Sequence, residues 1–322
     1  MILITGGLGF IGLHTARALL AQGETCVLTQ HRMTRIPEIL KEEIGSRLFI
    51  EQLDVTDANA FLKLGENYPI TGIIHLAVSW TRTPGPRVVE LFEDIQANMI
   101  GLVNVLEAAQ AWKVKRILVA STLSVYGDES AVPWREDQPL SLTAPEFVSA
   151  IKKCNEIVAD YLARQTGIEC IQMRFGGIYG PLNPWNSPPN VLVHAAVTGT
   201  KPDLANVLGG IRAQEGSDLC YVKDAAHAVA LLQVAETLHH RVYNIATGRP
   251  TTNQDLIAAI KEVIPEAVIE LPLEDEGAEP AAIPYQDITR FVQDTGYQPQ
   301  YTTKQAIADY IAWLQAGNNV RC

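Results

Sequence analysis

Met1-Ile-Leu-Ile-Thr-Gly-Gly-Leu-Gly-Phe-Ile-Gly12 opens the chain, and the reading of these residues decides the fold. Ile2 to Ile4 is a short apolar run of the kind that forms a buried strand. Gly6, Gly9 and Gly12 follow, and Leu13 to Ala21 reads as a helix. Strand, glycine turn and helix in that order make a cradle for a dinucleotide. Gly6 permits the tight turn, Gly9 lets the backbone approach a pyrophosphate, and Gly12 lets the helix pack close to the strand. The start of the helix then offers free N–H groups and a positive dipole end to the phosphates.

Outward from this cradle, strands and helices alternate. Thr25 to Thr29 reads as a second strand, and a third runs from Leu48 to Asp54-Val55, with a helix to about Asn67. Gly72 to Val78 reads as another buried strand, Val88 to Trp112 as a helix, and Arg116 to Ser121 as a fifth strand. Glu146 to Gln165 is a long helix and Glu169 to Arg174 a sixth strand. This alternation predicts an α/β fold with a parallel, doubly wound sheet. From about Tyr179 the texture changes. Residues 180–189 form a proline-rich stretch read as a loop, and 209–217 is irregular. Ala225 to Ala235 then reads as a helix and Val242 to Ile245 as a strand. An acidic loop spans Leu271 to Pro284, and Lys304 to Leu314 is amphipathic. The expected organisation is a dinucleotide-binding domain at 1–178 with 218–246 returning to it, and a smaller C-terminal substrate lobe from 179–217 and 247–322.

Composition narrows the function. The 322 residues carry a net charge of -11, with 25 basic against 36 acidic side chains and no basic tract, which disfavours nucleic acid. Cys26, Cys154, Cys170, Cys220 and Cys322 are odd in number and unpaired in spacing, as in reduced cytoplasmic proteins without a zinc site. The first strand begins at residue 2, which leaves no room for a signal peptide, and no run is long enough to cross a membrane. The end of the second strand lies beside the adenosine ribose. An acid there suits NAD, but this chain has Gln30-His31-Arg32, with Arg35 close behind. A guanidinium can hold a 2′-phosphate, which favours NADP over NAD; solvated loop charge is the plain alternative.

These pieces together resemble the extended short-chain dehydrogenases/reductases, the NAD-dependent epimerase/dehydratase family, from end to end. The matching segments are Thr5 to Gly12, Leu53 to Asp57, His75-Leu-Ala77, Asn98 with Gly101 and Asn104, and Ser121-Thr-Leu-Ser-Val-Tyr-Gly127. Arg174 to Pro181, Tyr221 to Asp224, Tyr243 to Ala246, Asp287 to Arg290 and Gly296 to Pro299 extend the match. The resemblance implies a Rossmann-type fold, a small-molecule substrate and a homodimer through the Val88–Trp112 and Glu146–Gln165 helices. It implies that Asp54 and Val55 flank the adenine, that Leu76, Ala77 and Val78 run along the phosphates and ribose, and that Phe10, Ile11, Ala120 and Ile178 line the cofactor. Lys152 would hold the nicotinamide ribose.

Members of this family work with a Ser or Thr, a Tyr, and a Lys four residues after the Tyr, whose charge lowers the phenol's pKa. Thr122 and Lys152 match the first and last. The residue four before Lys152 is Val148, so the phenol is missing from its place. Gly177 stands where the family often has a sugar-contacting Asn, and Ser217 where it has a diphosphate-gripping Arg. A second such Arg would fall near Gly277, among Glu274, Asp275, Glu276 and Glu279. These losses make a nucleotide sugar an unexpected substrate.

Thr122, Ser124, Val148, Gly177, Trp80, Arg82 and Trp185 are the candidate substrate contacts, each with packing as its plain alternative. Tyr126 and Tyr179 are structural in such positions or substitutes for the phenol. His31, His75 and His194 have no metal spacing. The leading expectation is an NAD(P)-dependent enzyme acting on a small biosynthetic metabolite, with the proton handled by Thr122 and a water, by Lys152, or by the substrate. Its rivals are a non-redox isomerase or lyase with a structural nucleotide, and a non-catalytic nucleotide-binding protein.

Overall fold

The computed structural model describes residues 1–31, 38–81, 87–127, 131–144, 146–205, 207–272 and 282–318. Arg32, Arg35, Arg82 and the acidic stretch around Gly277 lie outside the described residues.

The chain divides into two compact units: Met1–Gly127, Leu140–Arg174 and Ala226–Tyr243 form one, and Asp128–Pro139, Phe175–Ala225 and Asn244–Cys322 the other. In chain order the sheet strands are β1 (Ile2–Thr5), β2 (Cys26–Gln30), β3 (Leu48–Gln52), β4 (Gly72–His75), β5 (Arg116–Thr122), β6 (Glu169–Phe175), β7 (Gly177–Tyr179), β8 (Gly216–Ser217), β9 (Leu219–Tyr221), β10 (Val242–Ile245) and β11 (Thr251–Thr252). Among the described residues a seven-stranded sheet runs β10-β6-β5-β4-β1-β2-β3. The pairs β1–β2, β2–β3, β1–β4 and β4–β5 are parallel. Strand order therefore reverses between β1 and β4, and open α/β sheets bind ligands beyond the carboxyl ends of the strands at such a point. Leu3, Ile4, Val27, Leu28, Ile73, Ile74, Ile117 and Leu118 have no exposure, as strands covered on both faces require.

The helices of the first unit are α1 (Phe10–Ala21), α2 (Ala58–Asn67), α3 (Val88–Trp112) and α4 (Phe147–Thr166). Phe61, Leu102, Val105, Leu106 and Ala159 from these helices join Leu3, Ile73, Ile117 and Val119 in one core. Arg116, only 1% exposed, donates to Glu169 and to the carbonyls of Leu232, Gln233 and Ala235. It thereby satisfies the last turn of α6 (Val222–Val234), whose carbonyls have no partner inside the helix.

The second unit contains α5 (Pro188–Thr198), α7 (Asn253–Val263), α8 (Thr289–Thr295) and α9 (Thr303–Gln315). Helices α5, α7 and α9 pack on one another. The proline-rich stretch is therefore only partly a loop: Pro188 opens α5, where a missing N–H costs nothing. Ser217, expected in an irregular stretch, pairs with Thr251. Three other boundaries differ from expectation. α1 starts at Phe10 rather than Leu13, β3 stops at Gln52 short of Asp54-Val55, and β4 stops at His75 short of Val78. No described helix is long and apolar enough to cross a membrane.

Candidate active site

The glycine turn is built by exclusion. Gly6 has φ +65°, and a Cβ there would lie 3.0 Å from the backbone of Ala77. A Cβ on Gly12 would stand 2.6 Å from the carbonyl oxygen of Gly6 and 2.8 Å from Gly7 Cα, both backbone atoms that cannot move aside. Gly9 is exposed and caps α1 with no side chain, leaving the first-turn N–H groups of the helix open. Phe10 and Gly12 are buried and Ile11 half-buried. This is a cradle that side chains would fill, and it fits the pyrophosphate of a dinucleotide.

The walls of the cradle are tied together. Thr5 Oγ1 and His75 Nδ1 are 2.8 Å apart, and Thr5 Oγ1 accepts the N–H of Ala77 at 3.4 Å. The loop carrying Leu76, Ala77, Val78 and Trp80 is held from α3: Ser79 Oγ and the Thr81 N–H each donate to Asp94 at 2.6 Å, and Asn98 Nδ2 donates to the Ser79 carbonyl at 2.7 Å. Burial opposes the charge on Asp94, but the Ser79 and Thr81 donors outweigh it and hold the carboxyl below its ordinary range. Asn104 donates to the Val55 carbonyl at 2.8 Å, fixing the turn after β3. Asp54 is exposed there; it accepts from the Thr56 N–H and hydroxyl and faces His31 Nε2 at 3.3 Å. Gln30 ends β2 beside it. Asp94 and Asn98 are the residues whose roles sequence reasoning missed. Two polar groups four apart on a mainly apolar helix are the signal.

Thr122 ends β5 and caps a 3₁₀ turn over Leu123–Tyr126, accepting from the Ser124 N–H; its Oγ1 lies 3.1 Å from Ser124 Oγ. Ala120 precedes it, half-buried. Lys152 is 7% exposed on α4, which packs against β5 and this turn. Among the described residues no hydrogen bond reaches its Nζ. Burial pushes the lysine down to about 8, with Glu156 opposing the shift. Burial and the neighbouring Lys152 push His75 down to about 3, so it is a neutral imidazole. Val148 lies one turn before Lys152, half-buried, where a phenol would stand. Tyr126 is 3% exposed, and its hydroxyl accepts from Arg174 Nη1 at 3.1 Å.

Four expected residues belong to the second unit. A side chain on Gly177 would stand 2.9 Å from Leu219 Cδ2, so Leu219 occupies the space an Asn would need. Ile178 is buried beside it, and Tyr179 is buried with its ring 5.6 Å from that of Tyr221, its hydroxyl pushed up by burial. Trp185 lines a groove of about 310 Å³ with Asn183, Asn190, His194 and Lys201. In the same unit Asp218, 1% exposed, accepts from Thr247, Gly248 and Gln286. Burial still raises its carboxyl above the ordinary range.

Residues 2–246 match the model of the NAD dependent epimerase/dehydratase family. The chain belongs to that family. Among similar members, UDP-glucose 4-epimerase 2 of Arabidopsis thaliana is 25% identical over 99% of this chain and 95% of its own length. UDP-glucose 4-epimerase of Neisseria meningitidis is 25% identical over 99% and 98%. Two solved epimerase structures share the fold. UDP-N-acetylglucosamine 4-epimerase of Methanobrevibacter ruminantium, in complex with UDP-N-acetylmuramic acid, superposes with a TM-score of 0.81 at 22% identity over 98% of each chain. UDP-glucuronic acid 4-epimerase of Bacillus cereus, in complex with NAD, gives 0.80 at 19% identity over 99% of each. The epimerase/dehydratase fold, with its dinucleotide half, accounts for the cradle and for the sheet that carries it.

Proposed function

We propose that the protein is an NAD(P)-dependent enzyme that moves a hydride at a hydroxyl-bearing carbon of a small metabolite, with Thr122, Ser124 and Lys152 doing the work of the missing Tyr. The observation that carries this is Lys152: a buried ammonium without a hydrogen bond is costly, and it stands beside the cradle where a ligand would satisfy it. The cradle from Gly6 to Gly12, with Asp54, Val55, Leu76, Ala77 and Val78, would hold the dinucleotide. When bound, its nicotinamide supplies the hydride acceptor. Thr122 and Ser124 form a short hydroxyl chain that can orient a substrate oxygen. A lysine near 8 exchanges a proton readily at neutral pH.

Mixing enzyme, dinucleotide and a panel of small hydroxy and keto compounds in single turnovers should change the nicotinamide absorbance. Thr122→Ala should slow that change at least tenfold while leaving dinucleotide affinity intact. No change with a compound that the enzyme demonstrably converts would favour the non-redox rival instead.

A second reading is nucleotide-sugar 4-epimerisation, and the relatives' names favour it. They count against the expectation that a nucleotide sugar is an unlikely substrate, which rests on Gly177, Ser217 and the acidic stretch alone. Incubating the enzyme with UDP-glucose and UDP-N-acetylglucosamine, with proton NMR of the sugar, separates the two. Epimerisation would replace the small-metabolite part of the proposal and leave the dinucleotide part standing.

The preference for NADP rests on Gln30, His31, Arg32 and Arg35, and unequal affinities for NAD and NADP would test it. A homodimer through α3 and α4 is supported by apolar side chains left exposed there: Val88, Phe92, Ile95 and Val103 on α3, and Ile157 and Tyr161 on α4.

A further inference from the structure

Behind Lys152 lies a buried ionic cluster. Glu156 sits one helical turn after Lys152 on α4 and is 9% exposed. Arg174 of β6, 4% exposed, donates from Nε to one carboxylate oxygen at 3.0 Å and from Nη2 to the other at 2.8 Å. Ser121 Oγ donates to Glu156 Oε1 at 2.5 Å, and Thr122 is the next residue along β5. The same guanidinium lies 5.0 Å over the ring of Tyr126 and donates to its hydroxyl. Three segments are therefore joined through this ion pair: the turn of α4 with Lys152, the strand end with Thr122, and, by way of Arg174 and Tyr126, the turn with Ser124. A buried ion pair contributes little net stability against a hydrophobic replacement, so stability alone does not account for one joining these three segments.

We propose that Glu156 is a positioning residue for the active site: gripped by Arg174 and Ser121, it fixes Lys152 against Thr122 and sets the field in which Lys152 Nζ holds its proton. This rests on the role given to Lys152 above. Residues four apart on a helix are neighbours, so the carboxylate acts on the lysine directly. The other groups facing Lys152 are His75 at the end of β4, which is neutral, and, through Glu156, Arg174 on β6 and Tyr126 on the turn after β5. Asp94 on α3 has its oxygens taken by Ser79 and Thr81. Glu156 is thus the group that favours the charged lysine against burial.

The test is calorimetric affinity of the whole chain for NAD and NADP across neutral and alkaline pH. In the wild type, affinity should fall as Lys152 loses its proton, with a midpoint near 8. Glu156→Gln removes the charge that favours the ammonium and should move the midpoint down by about one pH unit or more. An unmoved midpoint in Glu156→Gln, with the curve flattened by Lys152→Met, overturns the role of Glu156 and leaves that of Lys152 intact. A curve that Lys152→Met does not alter overturns both. Should Glu156→Gln not fold with Arg174 unpaired, Glu156→Gln/Arg174→Gln keeps an amide pair in place. Its midpoint should also fall, and a midpoint at the wild-type position overturns the proposal equally.

Discussion

Lys152 destabilises the fold at the position where it is most useful. Its pKa falls from 10.5 to about 8 on folding, so below about 8 the folded chain carries a buried charge that the unfolded chain keeps in water. The penalty is full there, shrinks as pH rises through that window, and is gone above 10.5, where both states are neutral. Lys152→Met should therefore raise the unfolding free energy at neutral pH by up to about 3 kcal/mol, and the gain should vanish at high pH. Thermal unfolding without dinucleotide measures it; a gain independent of pH would contradict the assignment. His75 has a slope of the same sign in a lower pH window. Its pKa drops from 6.5 to about 3, so acidification through that range withdraws stability. Gly12 is limited by geometry: Gly12→Val must push α1 off the Gly6 and Gly7 backbone. Dinucleotide affinity should fall at least tenfold, about 1.4 kcal/mol.

At the scale of elements, α3 works on two sides. Its buried side presents Asp94, Asn98, Gly101 and Asn104 toward the turns after β3 and β4, beside Leu102, Val105 and Leu106. Asp94→Ala removes both anchors of Ser79 and Thr81 and should loosen the loop from Leu76 to Thr81. Dinucleotide affinity should drop about tenfold with little loss of thermal stability, read by titration and melting on the same sample. The helical periodicity of 88–112 was legible from Leu91, Ile95, Met99, Leu102, Val103 and Leu106. Which of these face the core was not, because Ile95 and Val103 are 43% and 42% exposed. A helix that buries Asp94, Asn98 and Asn104 while exposing apolar residues hides its own orientation. α7 went unread for another reason. Thr252 and Asp255 form a capping box before Leu256 and Ile260, a short local signal beside an irregular stretch.

Over the whole molecule, α3 and α4 are the described helices that leave the most large apolar side chains exposed. Phe92 and Tyr161 are each 61% exposed. Contiguous patches of this kind mark interaction surfaces. Phe92→Asp with Tyr161→Asp should convert a dimer to a monomer in light scattering at unchanged circular dichroism; a wild-type monomer would remove the dimer proposal. The amino-acid sequence by itself determined the dinucleotide half. Gly6, Gly9 and Gly12 obey a local rule, since backbone sterics within a dozen residues dictate them, and the alternation of strands and helices then implies the sheet. The absence of a phenol before Lys152 was equally plain. Only the tertiary structure decided what surrounds Lys152. His75, Arg174 and Ser121 come from three strands outside α4, and burial, which sets the lysine's proton affinity, belongs to the packed chain and to no stretch of it.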